Sequence, residues 1–189
     1  MAVYTKISKK DISIINNNFD IDKIISFHGI KKGIENTNYL LKSKNKKYIL
    51  TIFEKRVSQK EIPFFMKLMD ILNISKIICP KPLKTNNKNY LIKLKKKSAC
   101  IVSFVEGKDK KILTPNDCLA VGKSIARIHQ VTKKIKLNRK NSMGIKNLDQ
   151  LLKSIKFKSS RSSNLKDFLT NNLKNINKNW PTNLPKGII

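Results

Sequence analysis

The sequence is poor in the residues that build metal centres and disulfide frameworks. Its 189 residues include three cysteines (Cys79, Cys100, Cys118), two histidines (His28, His129) and twelve acidic residues. The cysteines are widely spaced and no Cys-x-x-Cys or Cys/His ligand pattern occurs, so nothing supports a metal site of that kind. Each cysteine has apolar neighbours, the setting of a small buried residue in a reducing compartment. No apolar run approaches the ~20 residues that cross a bilayer. The opening Met1-Ala-Val-Tyr-Thr-Lys6 lacks the basic-then-apolar order of a secretory signal. The expectation is a soluble cytoplasmic protein with no membrane partner. No Gly-Lys-Ser/Thr follows Gly29-x-x-x-Gly33, which excludes a Walker A loop. No segment repeats.

Arginine is scarce as well. The formal net charge is +29, yet only four of the 41 basic residues are arginine (Arg56, Arg127, Arg139, Arg161). Recognition of phosphates and base edges leans on arginine's planar fork. The lysines run along the whole chain among Asn and Ile, which reads as a diffuse solvated surface rather than a specific nucleic-acid interface. A basic, non-catalytic polyanion-binding protein is the alternative that charge alone leaves open.

What the chain does contain is a change of periodicity part-way along. A helix is predicted over 8–18, capped by Ser8, with Ile12 and Ile15 on one face. Strands are predicted near 23–30, 36–42 and 46–54, separated by turns at Lys31-Lys-Gly33 and Ser43-Lys-Asn-Lys46. Ser58-Gln-Lys-Glu61 has the form of a capping box ahead of a helix carrying Ile62, Phe65, Met66, Met69 and Leu72. Pro63 is tolerable only in that helix's first turn. Two more strands, Asn89–Leu94 and Ser98–Glu106, are joined by Lys95-Lys-Lys97. After Gly107, Thr114-Pro-Asn-Asp117 is a strong helix start. Helices follow over 115–131, 145–156 and 163–178, with Lys158-Ser-Ser-Arg-Ser-Ser163 as a flexible loop. The fold class is α+β: a strand-rich block over 1–106 with one helix after its third strand, then a helical block over 107–189.

Between the first two strands, Gly29 and Gly33 suit a tight turn, and equally a loop whose N–H groups approach phosphate oxygens. Several ordered segments carry a closer likeness. These are the opening Met1-Ala-Val-Tyr-Thr5, Ser26-Phe-x-Gly-Ile30, Gly33-Ile-Glu-Asn-Thr-Asn-Tyr-Leu-Leu41 and Tyr48-Ile-Leu-Thr-Ile-Phe-Glu-Lys-Arg-Val57. Pro63-Phe-Phe65, Cys79-Pro-Lys-Pro82, Ile101-Val-Ser-Phe-Val-Glu-Gly107, Val121-Gly-x-x-Ile-Ala-Arg-Ile-His129 and Trp180-Pro-x-x-Leu-Pro-x-Gly-Ile188 complete the set. Together they resemble the bacterial homoserine kinases of the aminoglycoside-phosphotransferase-like group. Such enzymes move the γ-phosphoryl of ATP to the hydroxyl of L-homoserine, in threonine biosynthesis.

The resemblance implies a protein-kinase-like two-lobe fold, with a small nucleotide-binding lobe at 1–106 and part of a helical large lobe at 107–189. It implies that Gly33, Asn36, Thr37 and Asn38 shape the phosphate-covering loop. It makes Ser103, Phe104 and Val105 the lobe connector that meets adenine. Protein kinases carry a Lys on the third strand, paired with a Glu on the next helix. Here that strand position falls on Thr51. Lys55 or Arg56 could stand in, or be a plain solvated pair, and Glu61 and Asp70 are both open as the helix partner. His28 and His129 read as packing or hydrogen-bonding residues. In the family an Asp of a His-x-Asp-x-x-x-x-Asn loop orients the nucleophile, and the Asn and a later Asp hold Mg²⁺. No His-x-Asp occurs here and no Asp lies beyond Asp167. The expectation is a chain that stops short of its catalytic loop, with no catalytic or metal residue of its own and a separate C-terminal half as a conceivable partner. Another small-molecule kinase of the same fold is the alternative within the enzyme class.

Overall fold

The computed structural model describes residues 3–54, 58–139, 141, 144–156, 160–184 and 187. Its contacts divide the chain into a first unit that runs to Leu137 and a second over Asn138–Gly187.

The first unit is built on a five-stranded antiparallel sheet, in the order β1-β2-β3-β5-β4. Its strands are β1 (Ser26–Gly29), β2 (Thr37–Lys42), β3 (Lys47–Ile52), β4 (Ile92–Leu94) and β5 (Lys97–Ser103). Helix α1 (Lys9–Asn18) precedes the sheet, α2 (Ile62–Ile74) lies between β3 and β4, and α3 (Pro115–Thr132) follows β5. Period-two alternation decides which side chains face which layer. Tyr39 and Leu41 of β2, Tyr48, Leu50 and Ile52 of β3 and Ile101 of β5 join Ile12, Ile15 and Phe19 of the α1 region in one core. On the opposite face Cys100 and Val102 join Ile62 and Met66 of α2. Leu41, Leu50, Ile52 and Ile101 have no exposed surface, and burying each such side chain stabilises the fold by roughly 1.5–3 kcal/mol.

Local chemistry fixes the ends of these elements. The Asp11 carboxylate accepts hydrogen bonds from the Ser8 backbone N–H and hydroxyl, both at 2.7 Å, closing the first turn of α1. In the same way the Asp117 carboxylate accepts from the Thr114 N–H at 2.9 Å and its hydroxyl at 2.7 Å at the start of α3.

Several boundaries differ from expectation. Ser58 does not cap α2. Glu61 is the N-cap, its N–H closing a turn on the Ser58 carbonyl at 2.9 Å, and Pro63 falls in the first turn, where no N–H is needed. The β4–β5 turn is made by Lys95 and Lys96, with φ of 49° and 64°, which frees Lys97 to open β5. That strand ends at Ser103 rather than Glu106. Cys100 is buried but Cys118 is exposed on α3.

The second unit pairs α4 (Ile145–Ser154) with α5 (Ser160–Lys178). Ser160–Ser163, expected in a loop, are the first turn of α5. The remainder of that expected loop, Lys158 and Ser159, lies outside the described residues. Among the described residues no helix is long and apolar enough to cross a membrane.

Candidate functional site

The loop between β1 and β2 leaves the sheet where the Ile30 N–H donates to the Asn38 carbonyl at 2.8 Å. Gly33 has φ of +106° and nothing within 4 Å of where a Cβ would sit. That φ, rather than crowding, requires glycine. Lys32 Nζ reaches Asp109 Oδ2 at 2.8 Å, an exposed pair between the loop and the segment after the connector, of a kind worth little in stability.

Beneath the loop lies a polar cluster that the sequence did not reveal. Thr37 is fully buried. Its hydroxyl accepts from the N–H groups of Tyr4 at 2.9 Å and Thr5 at 3.1 Å, and donates to Glu54 Oε1 at 2.7 Å. Thr5 Oγ1 also donates to Glu54 Oε1, at 2.7 Å, and Lys97 Nζ pairs with the other Glu54 oxygen. Burial alone would raise the Glu54 pKa, but the hydrogen bonds from Lys97, Thr37 and Thr5 and the Lys97 charge outweigh it, holding the carboxyl below its usual value. Asn36 Oδ1 accepts from the Glu54 N–H at 3.3 Å. The amino-terminal segment, the loop's exit and the end of β3 are thus tied at one carboxylate. No sequence signal points to this set, because Thr5, Thr37, Glu54 and Lys97 are separated by tens of residues.

Alternation turns Asn38 and Thr51 to the opposite face from Thr37. They are register partners, and Thr51 Oγ1 donates to Asn38 Oδ1 at 2.8 Å. The third-strand position is therefore a neutral hydrogen-bonded pair. Lys55 and Arg56 lie outside the described residues. On α2, Asp70 is engaged by the Tyr90 hydroxyl. Burial, with the Asp70 charge and hydrogen bond, pushes the Tyr90 pKa up to about 12.

The segment over 103–105, expected as the lobe connector, is anchored on both sides. The Ser103 N–H donates to the Lys81 carbonyl at 2.8 Å, and its Oγ accepts from the Lys81 N–H at 2.9 Å. The Phe104 N–H donates to the Lys47 carbonyl at 3.2 Å. Lys47 Nζ lies 5.3 Å from the Phe104 ring centroid and 2.7 Å from Glu106 Oε1. Val105 comes next, 41% exposed, and its main-chain N–H and C=O make no hydrogen bond among the described residues. That residue therefore carries one backbone donor and one backbone acceptor without a partner among the described residues. His28 is exposed on β1, and His129 is exposed in the last turn of α3. Among the described residues no group of three or more His, Cys, Asp or Glu side chains gathers to hold a metal ion.

The profile of the phosphotransferase enzyme family matches residues 26–189. The chain belongs to that family. Among curated members, the homoserine kinase of Paramagnetospirillum magneticum is 34% identical over 190 residues, covering 100% of this chain and 58% of the relative. The homoserine kinase of Bartonella tribocorum is 34% identical over 192 residues, with 100% and 60% covered. That of Afipia carboxidovorans is 32% identical over 191 residues, with 100% and 58% covered. The chain thus spans somewhat more than half the length of these phosphotransferases. Among solved structures, a spectinomycin phosphotransferase in complex with ADP and spectinomycin superposes with a TM-score of 0.56 at 16% identity, covering 92% of this chain and 56% of the other. A microcompartment-associated aminopropanol kinase gives 0.56 at 14% identity, covering 70% and 44%. The fold of this chain is α+β and protein-kinase-like, as the order of strands and helices predicts.

Proposed function

We propose that this chain carries the nucleotide-binding part of a homoserine kinase, which moves the γ-phosphoryl of ATP to the side-chain hydroxyl of L-homoserine. The observation that carries the reading is likeness to homoserine kinases at 32% to 34% identity over the whole of this chain. Residues 1–106 are the small lobe and 107–189 belong to the large lobe.

Phosphoryl transfer is catalysed by positioning and by charge stabilisation. This chain's share is positioning. The free N–H and C=O of Val105 meet the adenine edge, and the anchors on Ser103 and Phe104 hold them in place. The loop around Gly33 presents backbone N–H groups to the phosphates. Asn36 and Thr37 fix its exit through Glu54, and Asn38 with Thr51 lines the sheet face below the nucleotide. The residue that orients the acceptor hydroxyl and the ligands of Mg²⁺, which in this fold come from a His-x-Asp-x-x-x-x-Asn loop and a later Asp, are assigned to none of these 189 residues.

The test is to combine the chain with the separately made C-terminal half of a homoserine kinase, ATP and Mg²⁺. It is then offered L-homoserine, aminopropanol and spectinomycin. Formation of O-phosphohomoserine alone supports the reading. Phosphorylation of another acceptor in its place overturns the substrate, and turnover of homoserine by the chain without the added half overturns the division of labour.

A further inference from the structure

On the α1 side of the sheet a concave surface of about 450 Å³ opens beside the connector. Asp20, Asp22, Lys46 and Lys81 stand around it, Ile21 and Leu83 supply its apolar wall, and Tyr48 and Ser103, which are register partners, complete it. By alternation Tyr48 faces away from Asn38 and Thr51, so the cleft lies on the other face of the sheet from the nucleotide-binding strip.

Two observations mark this cleft as more than a dent between surface charges. Tyr48 is only 5% exposed, yet its hydroxyl makes no hydrogen bond among the described residues. The ring is what is buried: no buried side-chain oxygen or nitrogen among the described residues lacks a partner, so the unbonded Tyr48 hydroxyl is the part of the side chain that opens to the cleft. The four charged side chains, in turn, form no ion pair among the described residues. Burial and the Asp22 charge both raise the Tyr48 pKa, which keeps the hydroxyl a donor at neutral pH. Neighbouring bonds hold the walls. Lys81 is tied to Ser103 in both directions, and Phe19, next to Asp20, bridges to Thr85.

The charge pattern selects the ligand. A simple anion would be drawn by two lysines and repelled by two aspartates, and a simple cation would meet the reverse. A molecule bearing an ammonium and a carboxylate a few bonds apart satisfies both pairs, and a short apolar side chain finds Ile21 and Leu83. We propose that this cleft binds a small zwitterionic α-amino acid, with the Tyr48 hydroxyl bonding its head group.

The probe is L-norvaline, which has no hydroxyl to accept a phosphoryl group and so reports on this cleft separately from the kinase reading. It is titrated into the 189-residue chain and followed by residue-resolved amide spectra. N-acetyl-L-norvaline and L-norvalinamide, each lacking one charge, are run beside it. The expected result is saturable shifts confined to residues 20–22, 46–48, 81–83 and 103, with both blocked analogues binding at least about tenfold more weakly, as befits a lost charge-assisted hydrogen bond. Tyr48→Phe should weaken L-norvaline about fivefold, the share of one neutral hydrogen bond, and should melt like the parent because the hydroxyl it removes has no partner. Asp22→Asn, at an exposed position, should weaken it by a similar or larger factor. The proposal is overturned if L-norvaline gives no saturable shift at about 50 mM, well above the roughly 1 mM of weak specific sites. It is equally overturned if N-acetyl-L-norvaline binds as well as the parent, which would mean general attraction to lysines, or if neither variant changes affinity.

Discussion

The sheet and the later helices solve the same problem to different degrees. In the sheet, alternating side chains disappear completely: Leu41, Leu50, Ile52, Leu94 and Ile101 are at most 1% exposed. In the helices the apolar stripe is equally regular in sequence yet stays open. Val121 and Ile125 on α3 are 58% and 47% exposed, Leu151 on α4 is 56%, and Phe168 on α5 is 63%. On α3 the one buried residue is Thr132, whose hydroxyl bonds the Ile128 carbonyl at 2.9 Å. The lesson is that periodicity announces which face of an element is apolar, but burial requires a second surface. In the sheet α1 and α2 supply it.

The sharpest test of that contrast is truncation. Leu50→Ala should cost about 2–5 kcal/mol, as large-to-small changes in a closed core do. Phe168→Ala, an exposed position, should stay within about 0.5 kcal/mol. Urea melts of the two variants against the parent measure both. Similar costs would mean that the open faces are covered in solution and the contrast is wrong.

A smaller effect is expected at the polar junction under the loop. Glu54→Gln leaves Lys97 without its anion and should cost about 1.5–3 kcal/mol, the range for a hydrogen bond to a charged group. Because the folded-state pKa of Glu54 is lowered, its contribution is present above the ordinary glutamate pKa and is lost as pH falls through the folded value. The gap in stability between parent and Glu54→Gln should therefore be constant near neutrality and shrink below about pH 4.3. A gap that persists unchanged in acid would remove the carboxylate from this account.

Most of the sheet was legible in the sequence. Tyr39 and Leu41, then Tyr48, Leu50 and Ile52, alternate cleanly, and the Thr114 cap reads directly from Thr-Pro-Asn-Asp. The errors have local causes. Ser58 has the letters of a cap, but the chain makes a separate turn before Ile62. The lysines at 95 and 96 adopt positive φ, which composition does not announce. Cys118 looked buried because its neighbours are apolar, and they are exposed with it. At the candidate site the position of Gly33 in the loop between β1 and β2 was legible. The Glu54 junction was not, because it depends on residues far apart in sequence that only the register of β2, β3 and β5 brings together.

Gly33→Val carries a smaller expected stability effect than Glu54→Gln. Its φ of +106° strains any side chain, at roughly 1–2 kcal/mol, while the open space around it means no clash. The change should weaken binding of a non-hydrolysable ATP analogue in calorimetry. Unchanged affinity would detach the loop from the phosphates.

Whether the loop and the connector together form a nucleotide site is tested most directly by amide hydrogen exchange of the 189-residue chain with and without a non-hydrolysable ATP analogue. The expected result is slowed exchange at residues 31–36 and at Val105 and Glu106, with the amides of α4 and α5 unchanged. Protection absent from both segments, or spread over the lysine-rich helices instead, would contradict the assignment and point to attraction between a basic chain and a polyanion.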